Sequence, residues 1–298
     1  MYRGNRKFTK KIEKKPIKKD EKIEVDSKLD KSDNNNFIIM GRRAILEALK
    51  SNRQIDKIFV KDGEMQRFQS NKTTGSLSEI IFKAREKSIP IIEATKDKLN
   101  YLTKSEENPN PNHQGVAAQA PPIEYFSIQD IINTAIDKNE KPLIIICDKI
   151  LDPYNLGAII RTAEASGAHG IILPKRNSAP ISETVYKASA GAIEHIKIAR
   201  IGNISQAIDF LKKQNIWVIG SEISGKSIYE PAKFSPFSDA CAIVIGSEGD
   251  GISNLVSKNC DILVSIPQFG KISSLNASVA AGILMFEAVR LRNNFKNA

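Results

Sequence analysis

The sequence predicts an α/β protein, with a C-terminal domain on a mainly parallel sheet preceded by a small α/β domain and a disordered basic tail. Three observations predict it. Five nearly unbroken apolar runs recur in the second half, "KPLIIICDKI", "GIILPK", "NIWVIGSE", "ACAIVIGSE" and "DILVSIP", and strands buried on both faces of a parallel sheet read in that way. Helical segments such as residues 155–166 and 204–214 lie between most of them, as crossovers between parallel strands require. The first half instead mixes short alternating and helix-periodic segments and closes on Pro121-Pro122.

From Phe37 onward each element has its own warrant. Ile45, Leu46 and Leu49 keep helical spacing, and "IDKIFV" alternates as a strand does. A helix follows over about residues 76–87, then the strand "IPIIEA", a helix through Leu102 and a short strand at residues 115–119. Residues 37–122 are therefore expected to form the small domain, 123–141 a linker and first helix, and 142–298 the larger domain. The closing helix, within "NASVAAGILMFEAVRLRNNF", is apolar nearly all round in its first half. It is expected to be buried, in the core or in a subunit interface.

Charge separates the N-terminus from the rest. Residues 1–36 carry 12 Lys/Arg against seven Asp/Glu, about half of the formal net charge of +10. With so little apolar surface to offset the entropy of ordering, the segment reads as a disordered basic arm. Its natural counterpart is a polyphosphate, and hence nucleic acid. The arm has no apolar h-region, and no apolar stretch in the chain reaches about 18 residues, which argues against a secretory signal and a membrane span. Cys147, Cys241 and Cys260 form no CxxC pair and are expected to be reduced, buried thiols of a cytoplasmic protein.

Ligands of open α/β sheets gather beyond the carboxyl ends of the strands, and three such junctions carry unusual polar residues. In "LDPYNLGAIIRTAEASG", Asn155 reads as a helix N-cap, with Arg161 two turns further on. "IGSEGDGIS" brings Gly246, Glu248, Gly249 and Gly251. "IPQFGKISSLNASVAAG" places Gly270, Ser273, Ser274 and Asn276 between a strand and a helix. Singly, these read as a cap, a surface arginine and a turn; their recurrence at matching strand ends points to one site. The glycines run G-x-x-G-x-G after a late strand, which fails the dinucleotide fingerprint, and no G-x-x-x-x-G-K-[ST] occurs. His113, His169 and His195 lack metal-ligand spacing, so no metal centre is expected.

Together, "DPYNLGAIIRTAEASG", "IVIGSEGDGI" and "IPQFGKISSLNASVAAGILMFEAVR" resemble the three motifs of the SpoU (TrmH-type) RNA ribose 2'-O-methyltransferases, in order and spacing, over most of residues 142–293. "PKRNSAPISETVYKASAGAIEHI" further resembles the subgroup that methylates a guanosine of large-subunit (23S-type) ribosomal RNA. "GRRAILEAL" and "HQGVAAQ" resemble that subgroup's substrate-binding domain. The resemblance implies an S-adenosylmethionine-dependent enzyme with a C-terminal trefoil knot of the SPOUT type, acting on RNA as a homodimer built through the knotted region. By motif position it implies the methyl donor against Gly246, Ile266 and Leu275, and a reacting pocket of Asn155, Arg161, Glu248, Ser274 and Asn276. Gln268-Phe269 departs from the methionine that the family commonly carries before the glycine turn.

The implied reaction is in-line attack of a ribose 2'-oxygen on an activated methyl, which requires the hydroxyl to be aligned and its charge increased. Arg161 is the family's usual candidate for the key residue, but a guanidinium with a pKa above about 12 accepts protons poorly. Arg161 is therefore expected to grip the neighbouring phosphate and stabilise the developing alkoxide, while that phosphate or an ordered water takes the proton. Asn155 and Glu248 are expected to orient Arg161 and the ribose, and Ser274 and Asn276 to hold the nucleotide. A transfer RNA ribose methyltransferase and a non-catalytic RNA-binding ribosome assembly factor stay open as alternatives on the sequence.

Overall fold

A computed structural model describes residues 37–51, 53–104, 109–230, 235–271 and 274–294; the expected basic arm lies outside them. The first elements are β1 (Phe37–Met40), α1 (Arg42–Lys50), β2 (Lys57–Lys61), α2 (Glu64–Gln69), α3 (Ser76–Glu86), β3 (Ile91–Ala94), α4 (Lys96–Thr103) and β4 (Val116–Ala120). Their sheet has the order β1-β4-β2-β3, antiparallel except between β2 and β3. The two-residue period of a strand sorts the side chains. Ile58 and Val60 join Ile45, Leu49, Ile80 and Ile81 of α1 and α3, whereas Phe59 joins Leu99 of α4 in a separate cluster. The short α2 was not expected; none of its side chains is fully buried, and Met65 and Phe68 alone pack against the core, too short a pattern to read as periodic.

The second set comprises α5 (Ile128–Asp137), β5 (Leu143–Cys147), α6 (Pro153–Ala165), β6 (Gly170–Pro174), α7 (Glu183–Ala188), β7 (Lys197–Ile201), α8 (Ile204–Lys213), β8 (Trp217–Ser227), β9 (Cys241–Ile245), α9 (Asn254–Asn259), β10 (Ile262–Ser265) and α10 (Ala277–Asn294). The six strands run in the order β10-β8-β9-β5-β6-β7, every neighbouring pair parallel. Five were expected, and β7 is the addition. Its "KIARI" neither alternates nor forms an unbroken apolar run; it lies at the edge of the sheet, and its Lys197 and Arg200 stand 5.3 and 5.6 Å from the ring centroids of Phe126 and Tyr125. Along β5, Leu143, Ile145 and Cys147 enter one core with α6 and α10, while Ile144 and Ile146 enter another with α5 and α8.

Helix α10 is buried on one face only. Ala281, Leu284, Met285 and Ala288 are in the core, but Val279 and Phe286, seven residues apart, are 49% and 50% exposed. Of the helix expected to be buried in the core or in a subunit interface, one face thus lies in the core, and the other carries these exposed apolar side chains. Among the thiols, Cys147 and Cys241 are buried and Cys260 is half-buried. Burial pushes Cys147 and Cys260 up to about 12. No helix among the described residues is long and apolar enough to cross a membrane.

The two sheets share a continuous core. At their junction Arg53 donates to Glu194 (2.9 Å) and to the carbonyl of Pro121 (2.6 Å), and Tyr186 donates to the same Glu194 oxygen at 2.5 Å. A second staple closes the large sheet. Arg292, on the last turns of α10, donates to the carbonyls of Lys141 and Pro142 (both 2.8 Å), Asp239 (2.6 Å) and Phe237 (3.2 Å). It binds the end of the chain's last helix to the segments that enter β5 and β9. Replacing Arg292 with Leu strands these carbonyls without a donor, and a loss of about 3 kcal/mol in unfolding free energy is expected from urea titration.

Candidate active site

The strand order directs the site. From β5 the chain moves outward through β6 to β7, then crosses to β8 and inserts β9 beside β5. The connections leaving β5 and β9 therefore part in opposite directions, and a crevice opens beyond their carboxyl ends. Asp148, at the exit of β5, accepts from the backbone N–H of Ser253 at 2.7 Å and so ties the two exits together.

Helix α6 starts differently from expectation. Its N-cap is Asp152, whose side chain accepts from the N–H of Asn155 at 2.8 Å, with Pro153 at the first helical position. Asn155 is one turn too late to cap. The Asp-Pro pair was the available signal, because proline favours that first position. The correction matters, since capping by Asp152 leaves the Asn155 amide free. It donates to Glu248 Oε1 at 2.9 Å, and its oxygen accepts from Asn276 Nδ2 at 2.9 Å.

Asn276 does both jobs. Its oxygen accepts from the N–H groups of Ser278 (3.0 Å) and Val279 (3.3 Å), as an N-cap of α10, while its Nδ2 donates to Glu248 Oε1. Residues from the exits of β5, β9 and β10 thus converge on one carboxylate oxygen. The glycine turn that carries Glu248 closes on itself through paired Ser247–Gly251 backbone hydrogen bonds, both 3.1 Å. A Cβ on Gly246 would lie 2.0 Å from the Gly251 carbonyl carbon, so no side chain fits at 246.

Behind this network is a cavity of about 410 Å³. Of the predicted residues, Gly246, Glu248, Ile266, Ser274 and Leu275 line it, and Asn155 and Asn276 join it through Glu248. Arg161 is not brought in. It is exposed on α6, and among the described residues it makes no hydrogen bond or ion pair, to Asn155 and Glu248 or to any other. Gln268 lines the cavity, whereas Phe269 is 98% exposed. Ser273 lies outside the described residues. The reading of the sequence missed Asp148, Asp152 and Glu222. The first had no motif around it, and the last sits on a strand extension that no local pattern foretells.

The family model described as the SpoU rRNA Methylase family matches residues 142–286, and the model described as RNA 2'-O ribose methyltransferase substrate binding matches residues 38–126. A TrmH family tRNA/rRNA methyltransferase, YacO of Bacillus subtilis (strain 168), is 40% identical over 255 residues, covering 86% of this chain and 96% of that protein. A TrmH family tRNA/rRNA methyltransferase of Staphylococcus haemolyticus (strain JCSC1435) is 40% identical over 258 residues, with the same coverages. Among solved structures, the SpoU methyltransferase AviRb from Streptomyces viridochromogenes, in complex with the cofactor AdoMet, superposes with a TM-score of 0.69 at 25% identity, over 87% of this chain and 92% of that one. An rRNA methyltransferase from Sinorhizobium meliloti gives 0.64 at 25% identity, over 86% and 87%.

The double duty of Asn276 is separable. Asn276→Ala removes cap and amide donor together and is expected to lower unfolding free energy by about 1 kcal/mol. Asn276→Ser keeps a capping oxygen without the Nδ2 donor, and its urea midpoint is expected to stay near the parent's. Equal losses in both variants would mean that the amide network, and not the cap, carries the stability.

Proposed function

The chain belongs to the SpoU RNA methylase family, and we propose that it transfers a methyl group from S-adenosylmethionine to a ribose 2'-hydroxyl, with a guanosine of large-subunit (23S-type) ribosomal RNA as its target. The cavity carries this reading. In a chain of net charge +10, the charged side chains lining it among the described residues are Glu222, Glu248 and Asp250, all carboxylates. A cation of nucleoside size suits both the sign and the volume, since cavities of roughly 300–1,000 Å³ take small-molecule ligands. When bound, the donor supplies an electrophilic methyl on a cationic sulfur.

Gly246, Ile266 and Leu275 hold that donor, largely through backbone groups, because the tight turn at Gly246 leaves no space for a side chain. Glu248 receives both asparagine amides on Oε1, and its Oε2 has no partner among the described residues. That oxygen accepts the hydrogen bond of the incoming hydroxyl and is the chain's own acceptor for its proton, ahead of the phosphate or water expected from sequence. Asn155 and Asn276 fix the carboxylate's direction, and Ser274 holds the nucleotide at the cavity wall. Arg161 acts on the RNA. Its guanidinium, without a hydrogen bond or ion pair among the described residues, grips a phosphate with paired donors and stabilises charge that develops on the sugar oxygen.

The proposal includes the knotted threading of the C-terminal segment, a cytoplasmic location and a homodimer. Support for the dimer comes from the exposed apolar side chains Val279 and Phe286 of α10 and Leu151 and Tyr154 around the start of α6.

Incubation with labelled S-adenosylmethionine is expected to methylate a 23S-type fragment at a ribose and to leave transfer RNA unlabelled. Label on transfer RNA alone would move the target, and tight RNA binding without label on either would make the protein an assembly factor. Arg161→Lys is expected to lower kcat at least about tenfold with donor affinity unchanged, because a lysine cannot make the bidentate contact; near-normal turnover would remove the grip from the mechanism. Deleting residues 1–36 is expected to weaken RNA affinity and flatten its log–log salt dependence, by about 0.7 in slope for each single-strand phosphate that the arm neutralises. An unchanged slope would take the arm out of RNA binding.

A further inference from the structure

Strand β8 does not simply end at the cavity. Its pairing with β10 runs Ile262↔Ile219 and Leu263↔Gly220, then resumes at Val264↔Lys226 and Ser265↔Ser227. Residues 221–225 have no opposite number on β10. They leave the ladder as an excursion, and Ser221, Glu222, Ile223 and Ser224 from it form one wall of the cavity. The excursion is pinned at its far end. A Cβ on Gly225 would lie 2.6 Å from the backbone of Val264, so only glycine lets the two chains touch there, and Ser265 Oγ donates to the Gly225 carbonyl at 2.9 Å.

Glu222 is the charged residue that this device presents. Its Oε1 accepts from Ser224 Oγ at 3.0 Å and its Oε2 from Ser257 Oγ of α9 at 2.7 Å. A carboxylate so held cannot rotate freely, yet each oxygen keeps further acceptor capacity. Glu248, by contrast, is held on Oε1 alone, by Asn155 and Asn276, and among the described residues Asp250 has no side-chain hydrogen bond to fix it. Two fixed acceptor oxygens on one carboxylate match two adjacent hydroxyls. Acidic side chains at strand ends of α/β sheets take ribose hydroxyls in this way.

We propose that Glu222 holds the ribose diol of the methyl donor and so makes the cavity selective for a ribonucleoside donor. The assignment rests on the function proposed above. The excursion of β8 then has a purpose, since it carries a carboxylate from the plane of the sheet to the rim where the donor's sugar would lie. Glu222 is a donor-holding residue and not a catalytic one, because it accepts hydrogen bonds from a sugar that does not react.

The experiment is calorimetric titration of the full chain with S-adenosylhomocysteine, its 2'-deoxy and 3'-deoxy counterparts, and 5'-methylthioadenosine, which keeps the diol but lacks the amino-acid end. The parent is expected to lose about tenfold or more in affinity on removal of either hydroxyl, as for a hydrogen bond to a charged group. Glu222→Ala should bind S-adenosylhomocysteine and 5'-methylthioadenosine both about tenfold more weakly and no longer distinguish ribo from deoxy ligands. Glu222→Gln, which keeps one acceptor oxygen and the shape of the wall, should retain part of the discrimination and guards against a folding defect in the alanine variant. Equal sensitivity to deoxygenation in parent and variants would overturn the assignment. So would a loss confined to S-adenosylhomocysteine, because the carboxylate would then face the ammonium group. If no adenosyl ligand binds the parent, the proposed function falls and takes this assignment with it.

Discussion

Three connections leave the large sheet at different places and meet on one atom, Oε1 of Glu248. Asn155 arrives from the exit of β5 and Asn276 from that of β10, and each gives an amide hydrogen to the carboxylate that the β9 turn presents. Asn155 stands on the first turn of α6 and Asn276 caps α10, two helices that share the core beneath. The geometry of the site therefore depends on a small polar network at the exposed end of the sheet, supported by buried strands and helices beneath it. Such division is physically reasonable: the strands supply rigidity, and short exposed side chains stay accessible to a substrate. Asp152 is part of the arrangement although it touches none of the three through their side chains, because by capping α6 it spares Asn155 that task.

Charge divides the molecule along the same line. The chain as a whole is basic, and the cavity lining is acidic. A polyanion is drawn to the outside and repelled from the cavity, whereas a small cation is favoured inside. The two proposed substrates are thus sorted by sign before any hydrogen bond forms. Arg161 stands on the outer side of that division, exposed on α6, and the role proposed for it suits that place, away from the carboxylates that line the cavity.

Much of the fold was legible because its core strands are buried on both faces. A run such as "LIIIC" has few alternatives in a chain whose intervening segments keep helical spacing. Legibility faded where burial is one-sided or short. Strand β7 escaped because its polar positions lie over aromatic rings, and α2 escaped because only Met65 and Phe68 of its short span pack, partly buried, against the core. At the site, a cap and a ligand-binding residue draw on the same few amino acids. The sequence placed Asn155 and Asn276 at helix starts; Asn276 caps α10, whereas Asp152 takes the cap of α6 and displaces Asn155 from it. Glu222 was illegible for a different reason. Its position depends on a ladder that skips five residues, and that skip is a property of two strands, β8 and β10, some forty residues apart.

The junction between the two sheets bears on how the small domain can serve the cavity. Arg53 and Glu194 form an ion pair with side chains only 11% and 7% exposed, and the guanidinium lies 5.5 and 5.7 Å from the ring centroids of Phe37 and Tyr186. Burying such a pair contributes little net stability, because desolvation consumes most of the attraction; separating it leaves a buried charge without a partner, which costs far more. The Tyr186 phenol, pushed up by burial and by the neighbouring Glu194 carboxylate, stays protonated and donates to that carboxylate, which deepens the penalty for separation. A pair of this kind favours one docking geometry over near alternatives. A substrate held on the small domain would then reach the crevice at a set distance, and the length of the span between them would restrict which sugar arrives beside the donor.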